Sequence, residues 1–268
     1  MPYANADAAR IHYEVEGAGP ETLLLVMGLG GHVTEWGEEF PGSLAQHFRV
    51  VRMDNRGIAL SETTRTAWSM LDMANDAVAV LDALGVARAH VLGTSMGGMI
   101  AQTVALEHPG RVARLVLMST SFGGPEAIGP TEAAMALFTP IPGETIADQR
   151  RRALTVITAP GFAARNPDLI EQLVDTRLRV PTRGAVFGAQ LTAIMQSDRS
   201  QRVAQLTLPT LVVHGTDDTL VPVGNGKLLA ERIPGARLAL LEGCGHLSHL
   251  EMPNLCASTV GDFLREAY

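Results

Sequence analysis

The sequence predicts an α/β fold, with a mostly parallel central sheet, helices on both faces and an inserted helical cap. Three observations predict it. Continuous apolar runs such as 22–27 and 112–118 alternate with segments of helical spacing. Strands that read apolar throughout are buried on both faces, as they are in parallel sheets. Gly93-Thr94-Ser95-Met96-Gly97 joins one such run to a helix. Over 123–205 the strand signal stops, and helix-like pieces are broken by Pro130, Pro140, Pro142, Pro160, Pro167 and Pro181.

The elements follow in order. Residues 3–7 and 10–16 read as a hairpin, the second arm alternating as a half-solvated strand does. The apolar run 22–27 is a buried strand ending in Met27-Gly28-Leu29-Gly30-Gly31. A helix is expected over 36–48 and a strand over 49–53. The Asp54-Asn55-Arg56-Gly57 turn follows, where Asp54 and Arg56 are expected to brace the loop. Leu71, Ala74, Val78, Leu81 and Leu84 mark an amphipathic helix over 69–84, and Gly85 stops it. Strand 89–92 leads into helix 96–107, which His108-Pro109-Gly110 ends, and strand 112–118 follows. After the cap come strand 209–214, helix 225–233, strand 236–241 and a closing helix over 254–266. The core domain therefore comprises 1–122 and 206–268, with the cap at 123–205.

The strand-end loops carry the chemistry. Ser95 lies at a strand-to-helix turn with glycines two residues to either side. Crowding at so sharp a turn requires glycine there, and the turn lifts the hydroxyl clear of the sheet. The following helix points its positive end at the serine. A glycine-rich turn at Gly28 lets the backbone approach a ligand, so the N–H groups of Leu29 and Met96 are expected to form an oxyanion hole. Later strand ends carry the pair Asp217-Asp218 and then His246. A hydroxyl nucleophile, an imidazole to move its proton and a carboxylate to orient the imidazole are the parts acyl transfer needs.

With these pieces in place, the chain resembles the α/β-hydrolase superfamily along nearly its whole length. It is most similar to the capped single-domain esterases and lactonases, such as the aclacinomycin methylesterase and 3-oxoadipate enol-lactonase groups. The motifs are Asp54-Asn55-Arg56-Gly57, Gly93-Thr94-Ser95-Met96-Gly97-Gly98, the 215–222 loop and Gly243-Cys244-Gly245-His246. The resemblance implies Ser95 as nucleophile and His246 as base. It implies Asp218 as the acid rather than Asp217, because Gly215 and Pro222 set the register. Two positions depart from the common pattern. Met27 stands where most relatives have histidine, and Ala59 where they have a second glycine.

Composition narrows the partners. A formal charge of −7 argues against nucleic acid and anionic membrane surfaces. The two cysteines, Cys244 and Cys256, read as unpaired thiols in a reducing compartment. No zinc-ligand spacing, signal-peptide pattern or membrane-length apolar run is visible. The expectation is a cytoplasmic enzyme, monomer or homodimer, that needs no metal or cofactor and acts on a small-molecule ester.

Gly28, His32, Phe138, Phe162, Phe187, Met195 and Leu220 are expected to line its pocket, and His249 is close enough in sequence to face it. Arg150, Arg151 and Arg152 are expected in solvent, leaving Arg56 as the cation nearest the serine. That favours a small to medium, rather apolar ester and implies little activity on dienoic diketo acids. The same triad also serves a lactonase, a carbon–carbon bond hydrolase of ring-cleavage products or a cofactor-free perhydrolase. A ligand-sensing receptor on this fold is the non-enzymatic alternative.

Overall fold

A computed structural model describes residues 2–266. Nine strands form the sheet: β1 (Tyr3–Ala6), β2 (Ala9–Glu16), β3 (Thr22–Val26), β4 (Arg49–Met53), β5 (Glu62–Thr63), β6 (Ala89–Thr94), β7 (Val112–Met118), β8 (Thr210–Gly215) and β9 (Arg237–Leu241). Their spatial order is β1-β2-β4-β3-β6-β7-β8-β9, with β5 beside β2. From β4 to β9 every neighbour is parallel, and β1, β2 and β5 pair antiparallel at one edge. The strands β3, β6, β7 and β8 are buried along their whole length, as their predominantly apolar sequences favour.

Helices cover both faces. On one lie α1 (Glu39–Ala45) and, at the far end of the chain, α11 (Pro253–Arg265), which pack together over Trp36, Phe40 and Phe263. On the other lie α2 (Met70–Ala83) and α3 (Met96–Glu107), over Leu24, Val91 and Leu115. Between β7 and β8 the chain makes a helical cap. It consists of α4 (Glu132–Met135), α5 (Ile146–Ile157), α6 (Phe162–Arg165), α7 (Pro167–Arg179) and α8 (Gly184–Met195). Leu154, Ile170, Leu173 and Val174 give it a small core of its own. Two further helices, α9 (Gly224–Arg232) and α10 (Ser248–Glu251), complete the set. No helix among the described residues is long and apolar enough to cross a membrane.

Two local readings differ from the expectations. The helix over 36–48 is a 3-10 turn, Val33–Trp36, followed by the shorter α1, because Gly37 breaks the chain at φ 69°. Helix α2 turns Met70, Met73, Ala74, Ala77, Val80 and Leu81 inward and leaves Leu71 46% exposed. Two methionines complete that inward face, which shifts it from the leucine-led stripe. Ala59 takes φ 47°, in the left-handed region that favours glycine.

Arg56 does brace the turn. Its Nε and one terminal nitrogen each donate to Asp76 of α2 at 2.7 Å, with both side chains buried. Burial pushes the Asp76 carboxyl up to about 6, against the pull of Arg56. The carboxyl ends of β3, β6, β8 and β9 all open on one rim. The chain leaves β3 first toward β4 and later returns to β6 on its other side. That reversal is where open α/β sheets bind ligands.

Candidate active site

Ser95 follows β6 with φ 55° and ψ −123°, a conformation that non-glycine residues rarely adopt. Backbone bonds hold it there. Its N–H donates to Met118 O at 2.9 Å, and its carbonyl accepts from Gly98 N at 2.9 Å and Thr120 Oγ1 at 2.6 Å. The flanking glycines are required by contact. A Cβ on Gly93 would stand 2.0 Å from Gly97 O, and one on Gly97 would stand 2.0 Å from Val26 O. Gly98 is equally constrained, since its Cβ would meet Thr120 Cβ at 2.6 Å. Strain of this kind persists only where the surroundings impose it, and here they do.

Asp218 and His246 come from the loops after β8 and β9. His246 Nδ1 lies 2.8 Å from Asp218 Oδ2, and both residues are buried. That contact leaves Nε2 as the nitrogen available to a substrate or to Ser95. The other oxygen of Asp218 accepts from the N–H groups of Leu220 at 3.0 Å and Val221 at 2.8 Å. Burial alone would raise the Asp218 carboxyl. His246 and His214 outweigh it and hold the group down at about 2. Asp217 faces another way. It is half-buried, its N–H goes to Cys244 O at 2.8 Å, and its carboxylate meets Thr216 Oγ1 at 3.5 Å. No hydrogen bond joins Ser95 to His246 among the described residues. In unliganded sites that bond is commonly long and tightens with substrate.

Two supports for this dyad were not legible. His214, read as structural, bonds Val221 O through Nε2 at 2.7 Å and lies 3.4 Å from Asp218 Oδ2. Gly226 is obligatory above it, because a Cβ there would meet His214 Nδ1 at 2.5 Å. Glu251 brackets the histidine by accepting from Gly245 N at 3.0 Å, Leu247 N at 3.1 Å and Ala159 N of the cap at 2.7 Å. The hint in the sequence is a lone acidic residue five positions beyond His246.

Gly28 lies against Ser95, with its missing Cβ 3.1 Å from Ser95 Cβ. The Leu29 N–H makes no hydrogen bond among the described residues, and Met96 stands at the first position of α3, where backbone N–H groups lack helical acceptors. Two free donors beside Ser95 are the arrangement an oxyanion hole requires. Met96 itself is buried and does not line the cavity.

The cavity at Ser95 has a volume of about 310 Å³. Ser95, His246, Gly28, Leu29, Phe138, Phe187 and Leu220 line it, as does His249. Three expected residues do not. His32 is buried beside it, bonded to Thr34 Oγ1 at 2.9 Å and 3.6 Å from Glu35 Oε1. Phe162 opens α6 outside the cavity. Met195 is 78% exposed, because α8 turns Val186, Ala189, Gln190 and Ala193 inward instead.

The charge of the cavity also differs from the expectation. Arg150 lines the cavity, together with Arg177 and Glu35. Arg177 is spent on Glu35, to which it donates twice, at 2.9 and 2.6 Å. Arg150 makes no hydrogen bond or ion pair among the described residues, and its Nε is buried without a partner. Burial and the charge of Arg177 pull its pKa down, and Glu35 opposes them. Two guanidiniums against one carboxylate leave the cavity a net cation. Arg151 and Arg152 do face outward, paired with Glu171 and Glu144. Among the described residues no cluster of three or more histidines, cysteines or carboxylates could hold a metal ion. Cys244 and Cys256 are free and buried.

The family model for the alpha/beta hydrolase fold matches residues 21–253. The chain belongs to the α/β-hydrolase family. It is a hydrolase by that membership. It is 32% identical to a 2-hydroxy-6-oxononadienedioate/2-hydroxy-6-oxononatrienedioate hydrolase of Cupriavidus pinatubonensis, over 95% of this chain and 90% of the relative. A protein of the same name from Burkholderia vietnamiensis is also 32% identical, over 96% and 91%. Among solved structures, the enol-lactonase of Burkholderia xenovorans LB400 superposes with a TM-score of 0.86 at 27% identity, over 99% of this chain and 100% of that one.

Two measurements test this site. Asp218→Asn is expected to lower kcat on an activated ester by about 10²–10⁴-fold, and Asp217→Asn by less than about threefold. The reverse ranking would assign the acid to Asp217. The second concerns His249, which burial lowers from an ordinary 6.5 to about 4. Between those values the unfolded chain binds a proton that the folded chain refuses, so stability rises with pH across that window and is complete above it. At 1.36 kcal/mol per pH unit the span is on the order of 3 kcal/mol. The raised Asp76 carboxyl slopes the other way over the same window, so the check is the difference between wild type and His249→Phe in urea titrations from pH 4 to 7, which should rise with pH. A difference independent of pH would refute the assignment.

Proposed function

We propose that this chain hydrolyses acids, taking a carboxylate-bearing substrate whose acyl carbonyl is attacked by Ser95 and whose carboxylate is held by Arg150. The reaction favoured is cleavage of a carbon–carbon bond in a 2-hydroxy-6-oxo dienedioate. The observation that carries this reading is the unpaired Arg150 guanidinium in the same cavity as Ser95 and His246. A guanidinium with no protein partner in a half-buried, largely apolar pocket is suited to a bidentate carboxylate. The full-length relatives named for such dioates support it. A neutral apolar ester has no group for Arg150, so the ester expected from sequence gives way to an acid.

The chemistry fits the parts present. Once the dienol has ketonised, with a proton added at C5, Ser95 Oγ adds to the C6 carbonyl while His246 takes the hydroxyl proton. The N–H groups of Leu29 and Met96 hold the oxyanion. The C5–C6 bond then breaks, and its electron pair runs through the C3–C4 double bond onto the C2 oxygen, giving a dienolate that takes the proton held by His246 as it leaves and returns the imidazole to its neutral form. Water, deprotonated by His246, cleaves the acyl-enzyme and frees Ser95 with the second acid. Asp218 keeps the imidazolium oriented and paired throughout.

A second reading, an acid-bearing enol-lactone, is favoured by the full-length superposition on the enol-lactonase. It uses the same residues and replaces the carbon leaving group with an enolate oxygen. The test compares 2-hydroxy-6-oxononadienedioate, an acid-bearing enol-lactone and p-nitrophenyl butyrate, each with the wild type and Arg150→Met. A charged hydrogen bond of about 1.5–3 kcal/mol corresponds to roughly 10- to 150-fold. Arg150→Met should lose that much kcat/KM on the preferred acid and less than about threefold on the neutral ester. Equal losses on both, or a wild type that prefers the neutral ester, would overturn the acid reading. Preference for the lactone over the dioate would select the second one.

A further inference from the structure

We propose that Gln190 and Thr182 of the cap are positioning residues for the oxyanion loop, setting the direction of the Leu29 N–H. This rests on Leu29 acting as an oxyanion donor. The cap holds both polar backbone groups of the next residue, Gly30. The Gly30 N–H donates to Gln190 Oε1 at 2.9 Å, and the Gly30 carbonyl accepts from Thr182 Oγ1 at 2.8 Å. The Phe187 ring closes the third side, 3.4 Å from the place of a Gly30 Cβ. Gly30 has φ +70°, so the loop turns sharply at the clamp.

The clamp reaches Leu29 through one peptide plane. In the trans Gly28–Leu29 peptide the carbonyl and the N–H point in opposite directions. The Gly28 carbonyl accepts from Gly31 N at 3.3 Å, which aims the Leu29 N–H the other way. That bond closes only while Gly30 keeps its turn, and Gly30 is held by the cap. The core end is fixed separately, where Asn55 Nδ2 donates to Met27 O at 2.9 Å. Gln190 is wholly buried in α8, and its Nε2 has no partner among the described residues. The amide therefore acts through its oxygen. A buried amide that satisfies a single backbone N–H, one residue from a hole donor, ties the chemistry to the seating of the cap.

The test uses Gln190→Leu and Thr182→Val, which remove the two contacts, and Gln190→Glu and Thr182→Ser, which keep an acceptor and a hydroxyl. Each is assayed with p-nitrophenyl butyrate for kcat and KM, and with butylboronic acid, a probe that forms a tetrahedral adduct at a nucleophilic serine. Outright removal of an oxyanion donor costs about 10²–10³-fold in kcat. A misaimed donor should cost less, about 10- to 100-fold. Gln190→Leu and Thr182→Val should lower kcat and boronate affinity by that factor with KM within about threefold, and Thr182→Ser should recover most of both. Unchanged boronate affinity, or an equal loss in Thr182→Ser, would overturn the proposal. Thr182 is half-buried and Val is nearly isosteric, so that pair decides the matter if Gln190→Leu does not fold. Labelling of wild-type Ser95 by a phosphonate separates the two ideas. No labelling would sink the serine-hydrolase reading, whereas labelling with unaltered boronate affinity would sink only the clamp.

Discussion

The site depends on how closely α3 crosses the end of the sheet. Where a Gly97 side chain would begin, Val26 O already stands, and Gly93 meets Gly97 O in the same way. This backbone-on-backbone contact forces Ser95 into its strained turn and places the first turn of α3 beside the loop that follows β3. The positions of Ser95, of the proposed oxyanion donors and of the helix dipole are therefore set by one packing constraint. The parallel strands β8 and β9 then deliver Asp218 and His246 to the same rim.

The cap is a working part of that rim. Three loops of the site are tied to it. Gly30 is held by Gln190 and Thr182, the acid loop by Thr219 Oγ1 on Val156 O at 2.7 Å, and the histidine loop by His246 N on Ile157 O at 2.7 Å. Glu35, buried, and Arg177, half-buried, add an ion pair between core and cap. These ties fix the cap against the chemistry, and the cap in turn brings Arg150 to the cavity.

The parallel sheet was legible because strands buried on both faces are apolar at every position, as in Leu23-Leu24-Leu25-Val26. The elbow was legible because only glycine fits beside Ser95. The inward face of the cap was not, since its amphipathic helices carry no strand to say which side meets the core. The arginine run shows why. Successive residues of a helix point about 100° apart, so Arg150, Arg151 and Arg152 cannot share a fate. Arg150, Ala153 and Ile157 fall at i, i+3 and i+7 and face the cavity together, while Arg151 and Arg152 find carboxylates outside. The same spacing joins Arg177 to the buried Ile170 and Val174 of α7. Met195 misled because an apolar residue near a helix end carries no direction by itself. Glu251 and His214 were missed because their roles are bonds to backbone and to a neighbour distant in sequence.

The central claim is that Ser95 carries the acyl group of an acid. Quenching the enzyme during turnover of 2-hydroxy-6-oxononadienedioate and mapping its peptides by mass spectrometry tests it directly. The account predicts an adduct with the mass of the C6–C9 acid fragment on the peptide containing Ser95, absent from Ser95→Ala. Turnover with Ser95 unmodified at every quench time, or an adduct on another residue, would contradict it.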